Sequence, residues 1–248
     1  MPDPRAPRLC VLIDADNVPA SYAEPIFQEI SGLGEASVRR IYGDWSSSRL
    51  AAWAKKVNTL GMVADQQFSN TKGKNASDIG LVIAAMDFLH SGLFDGFVLV
   101  SSDSDFTRLA SRIREQGLDV YGIGEKKTPE AFRNACKRFI YAENLGDESG
   151  ASEATPNPEG SATTNPSPAS TKLPPKKAIP LIAAAMKRIG LEEEWYSLGQ
   201  LGQFIQQANP DFDTRTYGSA KLSDLLRKTG RYEVKQGEGN HLLVRDKA

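Results

Sequence analysis

Residues 9–17 read LCVLIDADN, a run of five apolar residues that ends directly in two aspartates and an asparagine. A short apolar run of this kind is typical of a strand that is covered on both faces, as in a parallel sheet. Similar runs at 37–42, 61–68, 96–100 and 118–123 predict four more strands.

Helical patterns separate these runs, at residues 22–33, 46–60, 77–90, 106–116 and 129–141. Strands that alternate with helices predict an α/β domain, with a mostly parallel sheet and helices on both of its faces. We expect this domain to cover residues 7–145.

The composition changes sharply after this domain. Residues 146–172 contain no aromatic residue and no aliphatic residue larger than alanine, so they cannot bury enough apolar surface to offset the entropy of ordering. They predict a disordered linker. Residues 173–247 then show three short helical patterns, at 179–189, 198–208 and 217–228, followed by two short strands at 232–235 and 241–244. Three helices and a terminal hairpin predict a small winged-helix domain.

Acidic residues follow two of the predicted strands. Asp14 and Asp16 come after the first strand, and Asp103 and Asp105 come after the fourth. Open parallel sheets bind their ligands at the carboxyl ends of the strands. Asp78 opens the helix between them and starts its apolar stripe, so we expect Asp14, Asp78 and Asp103 to face one crevice.

Carboxylates that converge in this way repel one another, and a divalent cation compensates for the repulsion. Mg²⁺ prefers a few carboxylates, with its other positions filled by water and phosphate oxygens. Such a centre can activate water for attack on a phosphate. The pattern therefore predicts metal-dependent phosphodiester cleavage, and we expect Lys72 and Lys74, in the loop before Asp78, to meet the substrate backbone.

Some of these acids have simpler explanations when taken alone, and other kinds of binding site do not fit the sequence. An isolated aspartate at a strand end is often only a cap or a turn residue, which is the simpler explanation of Asp16 or Asp105 alone. Gly122-Ile-Gly124 lacks the rest of a dinucleotide fingerprint, and the phosphate-binding pattern GxxxxGK[ST] does not occur. With two histidines and two cysteines, no zinc site of the usual spacing can be assembled.

Three motifs give a more specific identification. The segments DADN at 14–17, KNASD at 74–78 and VSSDSDF at 100–106 together resemble the NYN family of PIN-like ribonucleases. The resemblance implies a PIN-like three-layer fold and RNA cleavage with Mg²⁺ or Mn²⁺, with single-stranded RNA as the expected substrate. It makes Asp14, Asp78 and Asp103 the catalytic and metal-binding acids, and Asp16, Asn17 and Asp105 supporting residues.

The C-terminal pattern resembles the OST-HTH, or LOTUS, winged-helix family, whose members bind RNA or proteins. Residues 172–248 carry 13 Lys and Arg against 9 Asp and Glu, and this mildly basic balance permits contact with nucleic acid. Lys221, Lys228 and Arg231 are the predicted RNA contacts. A solvated surface explains the same charges equally well, and the target of this module can be RNA or a protein partner.

The sequence therefore favours a cytoplasmic, metal-dependent ribonuclease with a tethered binding module. Residues 1–16 do not have the pattern of a secretory signal, and no run of about 18 apolar residues predicts a membrane span. Cys10 and Cys136 are interpreted as small core residues in a reducing compartment. Two alternatives stay open: an inactive adaptor that binds RNA or protein, and a haloacid-dehalogenase-like phosphatase, which also begins with Asp-x-Asp.

Overall fold

The computed structural model describes residues 5–46, 48–67, 76–145, 172–190, 195–237, 239 and 241–247. It divides into two compact units. One comprises residues 1–145 with 209–211, and the other comprises 146–208 with 212–248. The predicted linker, apart from Lys172, lies outside the described residues.

The N-terminal unit is built on a six-stranded parallel sheet. Its strand order is β3-β2-β1-β4-β5-β6, and every neighbouring pair is parallel. The strands are β1 (Arg8–Asp14), β2 (Glu35–Gly43), β3 (Val63–Gln66), β4 (Gly96–Val100), β5 (Asp119–Gly124) and β6 (Arg138–Tyr141). The order reverses beside β1, which places β1 and β4 next to each other as the acidic pattern requires.

Helices cover both faces of this sheet, and the alternation of side chains along β1 shows how. Leu9, Val11 and Ile13 belong to one buried cluster, and Cys10 and Leu12 belong to the other. The first cluster includes residues of α1 (Ala23–Ser31) and α2 (Ala51–Thr59); the second includes residues of α3 (Ala76–Ser91), α4 (Thr107–Glu115) and α5 (Glu130–Ala135). This three-layer arrangement confirms the predicted α/β, PIN-like fold class.

The predicted helix over 129–141 is wrong in its second half. Helix α5 ends at Ala135, Cys136 is already extended, and β6 follows. The reason is tertiary: β5 offers a free edge, where the N–H of Lys137 donates to the carbonyl of Val120 at 2.8 Å. The pairing continues along β6, so the apolar residues of 138–141 are buried as a strand.

The described residues of the C-terminal unit form three α-helices and a three-stranded antiparallel sheet of order β7-β9-β8. The elements are α6 (Ile179–Ile189), β7 (Tyr196–Ser197), α7 (Leu198–Ala208), α8 (Leu222–Thr229), β8 (Tyr232–Gln236) and β9 (Leu242–Asp246). Helices α6 and α7 have the predicted bounds. Three helices with a terminal hairpin agree with the predicted winged helix.

The third helix of this unit begins later than predicted. Residues 214–217 form a 3₁₀ turn, and Gly218 has a φ of 69°, in the left-handed region that glycine tolerates best. This residue ends the turn, so α8 starts only at Leu222 and Lys221 is its extended cap residue. Of the two predicted lysine contacts, Lys228 therefore lies on α8, whereas Lys221 precedes the helix.

Among the helices that the structure describes, none is both long enough and apolar enough to cross a membrane.

Candidate metal centre

Asp14 ends β1 and is 1% exposed. Its carboxylate is held by its own loop and by the neighbouring strand. Oδ2 accepts hydrogen bonds from Asn17 Nδ2 at 2.6 Å and Ser101 Oγ at 2.9 Å, and Oδ1 accepts one from the N–H of Asp16 at 3.2 Å. These bonds fix the carboxylate at the carboxyl edge of the sheet.

The segment after β4 brings a second set of polar groups to this edge. Because Ile13 pairs with Val100, Ser101 comes to lie beside Asp14. Ser101 Oγ also accepts a hydrogen bond from the N–H of Asp103 at 3.1 Å. The side chain of Asp103 in turn accepts one from the N–H of Asp105 at 2.9 Å, which caps the short 3₁₀ helix Ser104–Phe106.

Asp78 reaches the same place from the first turn of α3. Its helix packs on the sheet through Leu81, Ala85 and Leu89, and Asp78 lies one turn before them on the same face. Carboxylate oxygens of Asp78, Asp103 and Asp105 lie within 4.8 Å of one another. We call these three residues the acidic cluster.

The electrostatics show how closely the acids are gathered. Partial burial and, in decreasing order of effect, the charges of Asp14, Asp103, Asp105 and Asp16 together raise the pKa of Asp78 to about 6. Burial also raises the pKa of Asp14, although hydrogen bonds from Asn17 and Ser101 oppose the shift. Negative charge is therefore concentrated here beyond what the protein alone stabilises.

These residues fit a hard divalent cation. Three carboxylates that each offer an oxygen within one small volume provide the few anionic ligands that Mg²⁺ or Mn²⁺ takes from a protein. Asp14 adds a buried negative charge beside them, with Oδ2 already bound by two donors and Oδ1 by one.

The predicted site residues fall into three groups. Asp78 and Asp103 are in the acidic cluster, and Asp14 lies beside it. Asn17 orients Asp14, whereas Asp16 forms an ion pair with Arg49 at 3.7 Å. Lys72 and Lys74 lie outside the described residues.

Two residues gain roles that the sequence analysis did not give them. Asp105, predicted as a supporting residue, is a member of the acidic cluster. Ser101 joins Asp14 to the backbone of Asp103. The available signal for Ser101 was its place directly after a strand that neighbours β1.

Two of the three predicted RNA contacts of the C-terminal unit are bonded within that unit. Arg231 makes a two-pronged ion pair with Asp246, and Lys228 Nζ donates to the carbonyl of Gly218 at 2.6 Å. Lys221 is exposed. Two further cations, Lys235 and Arg245, lie over the ring of Trp195, 3.7 and 4.7 Å from its centroid.

Comparison with solved structures found several similar chains, and two of them are proteins of undefined function. One, from Vibrio parahaemolyticus RIMD 2210633, is 17% identical with a TM-score of 0.49, covering 57% of this chain and 96% of its own. The other, from Nitrosomonas europaea, is 26% identical with a TM-score of 0.27, covering 39% and 92%. At these TM-scores neither similarity defines the fold. No curated protein matches the chain.

Family models are more informative. The model of the OST-HTH/LOTUS domain matches residues 170–244, and domains of that family bind RNA. The model of the NYN domain matches residues 8–145. The NYN domain is a PIN-like nuclease domain, and such nucleases generally use divalent metal ions. With more than half of its residues matched, and with its acids gathered at the edge of a parallel sheet, this chain belongs to the NYN family and carries a C-terminal OST-HTH/LOTUS domain.

Proposed function

We propose that this protein is a cytoplasmic ribonuclease that cleaves phosphodiester bonds of single-stranded RNA with Mg²⁺ or Mn²⁺. The observation that carries the proposal is the acidic cluster of Asp78, Asp103 and Asp105 beside the buried Asp14. A protein that only binds polyanions gains nothing from concentrated negative charge, whereas a metal-dependent nuclease requires it. The two cysteines are free and buried, which fits a reducing compartment.

The chain's own residues have separate tasks in this proposal. Asp78, Asp103 and Asp105 would hold the metal, which when bound supplies a Lewis acid for the phosphate and for water. Asn17 and Ser101 orient Asp14 by donating to its Oδ2. Ser101 also fixes the backbone that presents Asp103. Second-layer contacts of this kind commonly change metal affinity or activity by roughly 10–100-fold when they are removed.

The C-terminal unit would bring RNA to this centre. Its family binds RNA, and Lys221, Lys228 and Arg231 remain the proposed contacts. The alternative target of this unit is a protein partner. A comparison of RNA binding by the truncated and full-length chains distinguishes the two targets.

The decisive experiment incubates the full-length protein with labelled single-stranded RNA or DNA, in Mn²⁺, Mg²⁺ or EDTA. We expect metal-dependent cleavage of RNA, and we expect Asp14→Asn and Asp103→Asn each to abolish it. Asp87→Asn, an exposed acid on α3 that is outside the cluster, is the matched control and should retain activity.

Each contrary result points to a specific alternative. Binding of RNA without any metal-dependent product would favour the adaptor. Hydrolysis of a small phosphate monoester with intact RNA would favour the phosphatase. Cleavage that persists within a few-fold in Asp14→Asn would remove Asp14 from the mechanism.

A further inference from the structure

A cleft of about 300 Å³ adjoins the acidic cluster within the N-terminal unit. Three segments line it. They are residues 15–20 after β1, the four residues Arg49, Leu50, Ala52 and Trp53 around the start of α2, and Glu125 and Lys127 after β5. Its volume is at the lower end of the range of ligand pockets, roughly 300–1,000 Å³, so it suits a small group rather than a folded partner.

One wall of the cleft is hydrogen-bonded to Asp14, and the other is hydrogen-bonded to the residue that precedes Asp103. On one wall, Asn17 donates to Asp14 Oδ2 at 2.6 Å. On the other, the N–H of Glu125 donates to Ser102 Oγ at 2.9 Å, next to Asp103 in the chain. A polymer bound at the acids therefore has the cleft as its immediate neighbour.

The floor of the cleft is apolar and rigid. Val18, Leu50 and Trp53 are buried members of the core on this face of the sheet. Trp53 Nε1 donates to the carbonyl of Val18 at 2.7 Å, which ties α2 to the loop after β1. An apolar floor of this kind favours contact with the flat, weakly hydrated face of a nucleobase.

Two cations stand at the mouth of the cleft. Arg49 and Lys127 have side chains that are 73% and 71% exposed, and they pair with Asp16 at 3.7 Å and Glu125 at 2.6 Å. Exposed ion pairs contribute little stability, typically about 0–1 kcal/mol, so a phosphate competes readily for either cation. The released carboxylates can then accept hydrogen bonds from the N–H groups of a base or from a ribose hydroxyl.

We propose that this cleft binds the nucleotide next to the scissile phosphate. Its base lies on the apolar floor, and its own phosphate lies between Arg49 and Lys127. This inference rests on the proposed function, because it defines a substrate subsite of the same centre. It predicts that the protein has a base preference at one position beside the cut.

The test fills the cleft without touching the acids. Ala52 lines the cleft and is exposed on α2, so Ala52→Trp should obstruct it. Ala51 is also exposed but is not in the lining, which makes Ala51→Trp the matched control. Arg49→Gln has its charge-matched control in Lys55→Gln, which lies on α2 six residues further along the chain and is not in the lining of the cleft.

We expect Ala52→Trp and Arg49→Gln to raise KM for a short RNA about tenfold, equivalent to roughly 1.4 kcal/mol of lost binding, with kcat changed by less than about threefold. In a randomised RNA library, the base preference beside the cut should flatten in both variants. The two controls should behave as the wild type. Unchanged KM and preference in both variants would overturn the proposal.

A second readout does not depend on cleavage. RNA carrying 4-thiouridine at each position in turn should cross-link to peptides containing residues 15–20 or 49–53, and Ala52→Trp should remove those cross-links. Cross-links without cleavage would reject the ribonuclease and retain the subsite. Cleavage without cross-links, and with unaltered variants, would reject the subsite alone.

Discussion

The environment of Asp78 gives the clearest expectation of how the stability of the protein depends on pH. Its pKa in the folded protein, about 6, lies above its ordinary value of 3.8 because the side chain is partly buried among other acids. The folded state thus holds the proton more tightly than the unfolded chain does. The resulting stabilisation is complete below pH 3.8 and is lost as the pH rises through about 6.

We therefore expect Asp78→Asn to raise the melting temperature of the metal-free protein at pH 7.5, and to raise it much less at pH 4.5. Thermal unfolding in EDTA at both pH values measures this difference. Asp87→Asn, at an exposed acid on the same helix outside the acidic cluster, is the matched control. If Asp78→Asn shifts the melting temperature equally at the two pH values, ionised Asp78 does not destabilise the folded protein.

At the scale of the elements, the packing of α5 and β6 against β5 depends on a glycine. A Cβ at Gly122 would lie 2.5 Å from a ring carbon of Phe139 and 2.8 Å from Cys136 Sγ. Both neighbours are buried, so neither can move aside freely. Gly122 thus has a packing role in the fold. This role explains the first glycine of Gly122-Ile-Gly124 without a bound dinucleotide.

Gly122→Ala should lower the free energy of unfolding by about 1–3 kcal/mol, the usual cost of overpacking a core. Urea denaturation followed by tryptophan fluorescence, in a Trp195→Phe background, reports on the N-terminal unit. Gly32→Ala is the control, because Gly32 has helical φ and ψ. A Cβ there would lie 3.4 Å from the carbonyl oxygen of Glu29, which is an ordinary van der Waals contact. We expect this substitution to be neutral or slightly stabilising. Equal effects of the two substitutions would show that β6 does not need this close approach.

For the whole molecule, the question is how two compact units divide the work. All six strands of the parallel sheet and the acidic cluster lie within residues 1–145. Deletion of residues 150–248 removes residues 209–211 of the N-terminal unit, but no strand of its sheet and no member of the acidic cluster, so it should leave kcat at saturating RNA nearly unchanged. It should raise KM, because a tethered RNA-binding module acts through effective concentration, typically about millimolar for a short flexible tether.

RNA binding and cleavage at several salt concentrations test this division. Lys221→Ala should reproduce part of the loss and flatten the salt dependence, because fewer phosphates are neutralised. It is a cleaner probe than Lys228 or Arg231, since those two side chains also bond Gly218 and Asp246 within the unit. Equal RNA binding by the truncated and full-length proteins would make a protein the target of the C-terminal unit.

The sequence by itself determined the features that depend on local pattern. Apolar runs gave five of the six strands of the sheet, and apolar periodicity gave the bounds of α6 and α7. The acids could be placed at one edge of the sheet because parallel strands present their carboxyl ends together. The neighbouring positions of β1 and β4 follow from a sheet whose order reverses beside β1, and the structure has such an order.

Tertiary structure alone decided the features in which distant segments compete or meet. Residues 138–141 became a strand because β5 had a free edge and Gly122 left room for Phe139. Asp105 joined the acidic cluster because α3 packs beside the loop after β4. Ser101, directly after β4, reached Asp14 at the end of the neighbouring strand β1. The cleft combines three segments separated by at least 29 residues in the chain. No local periodicity encodes such contacts, because their energies arise only when the whole domain closes.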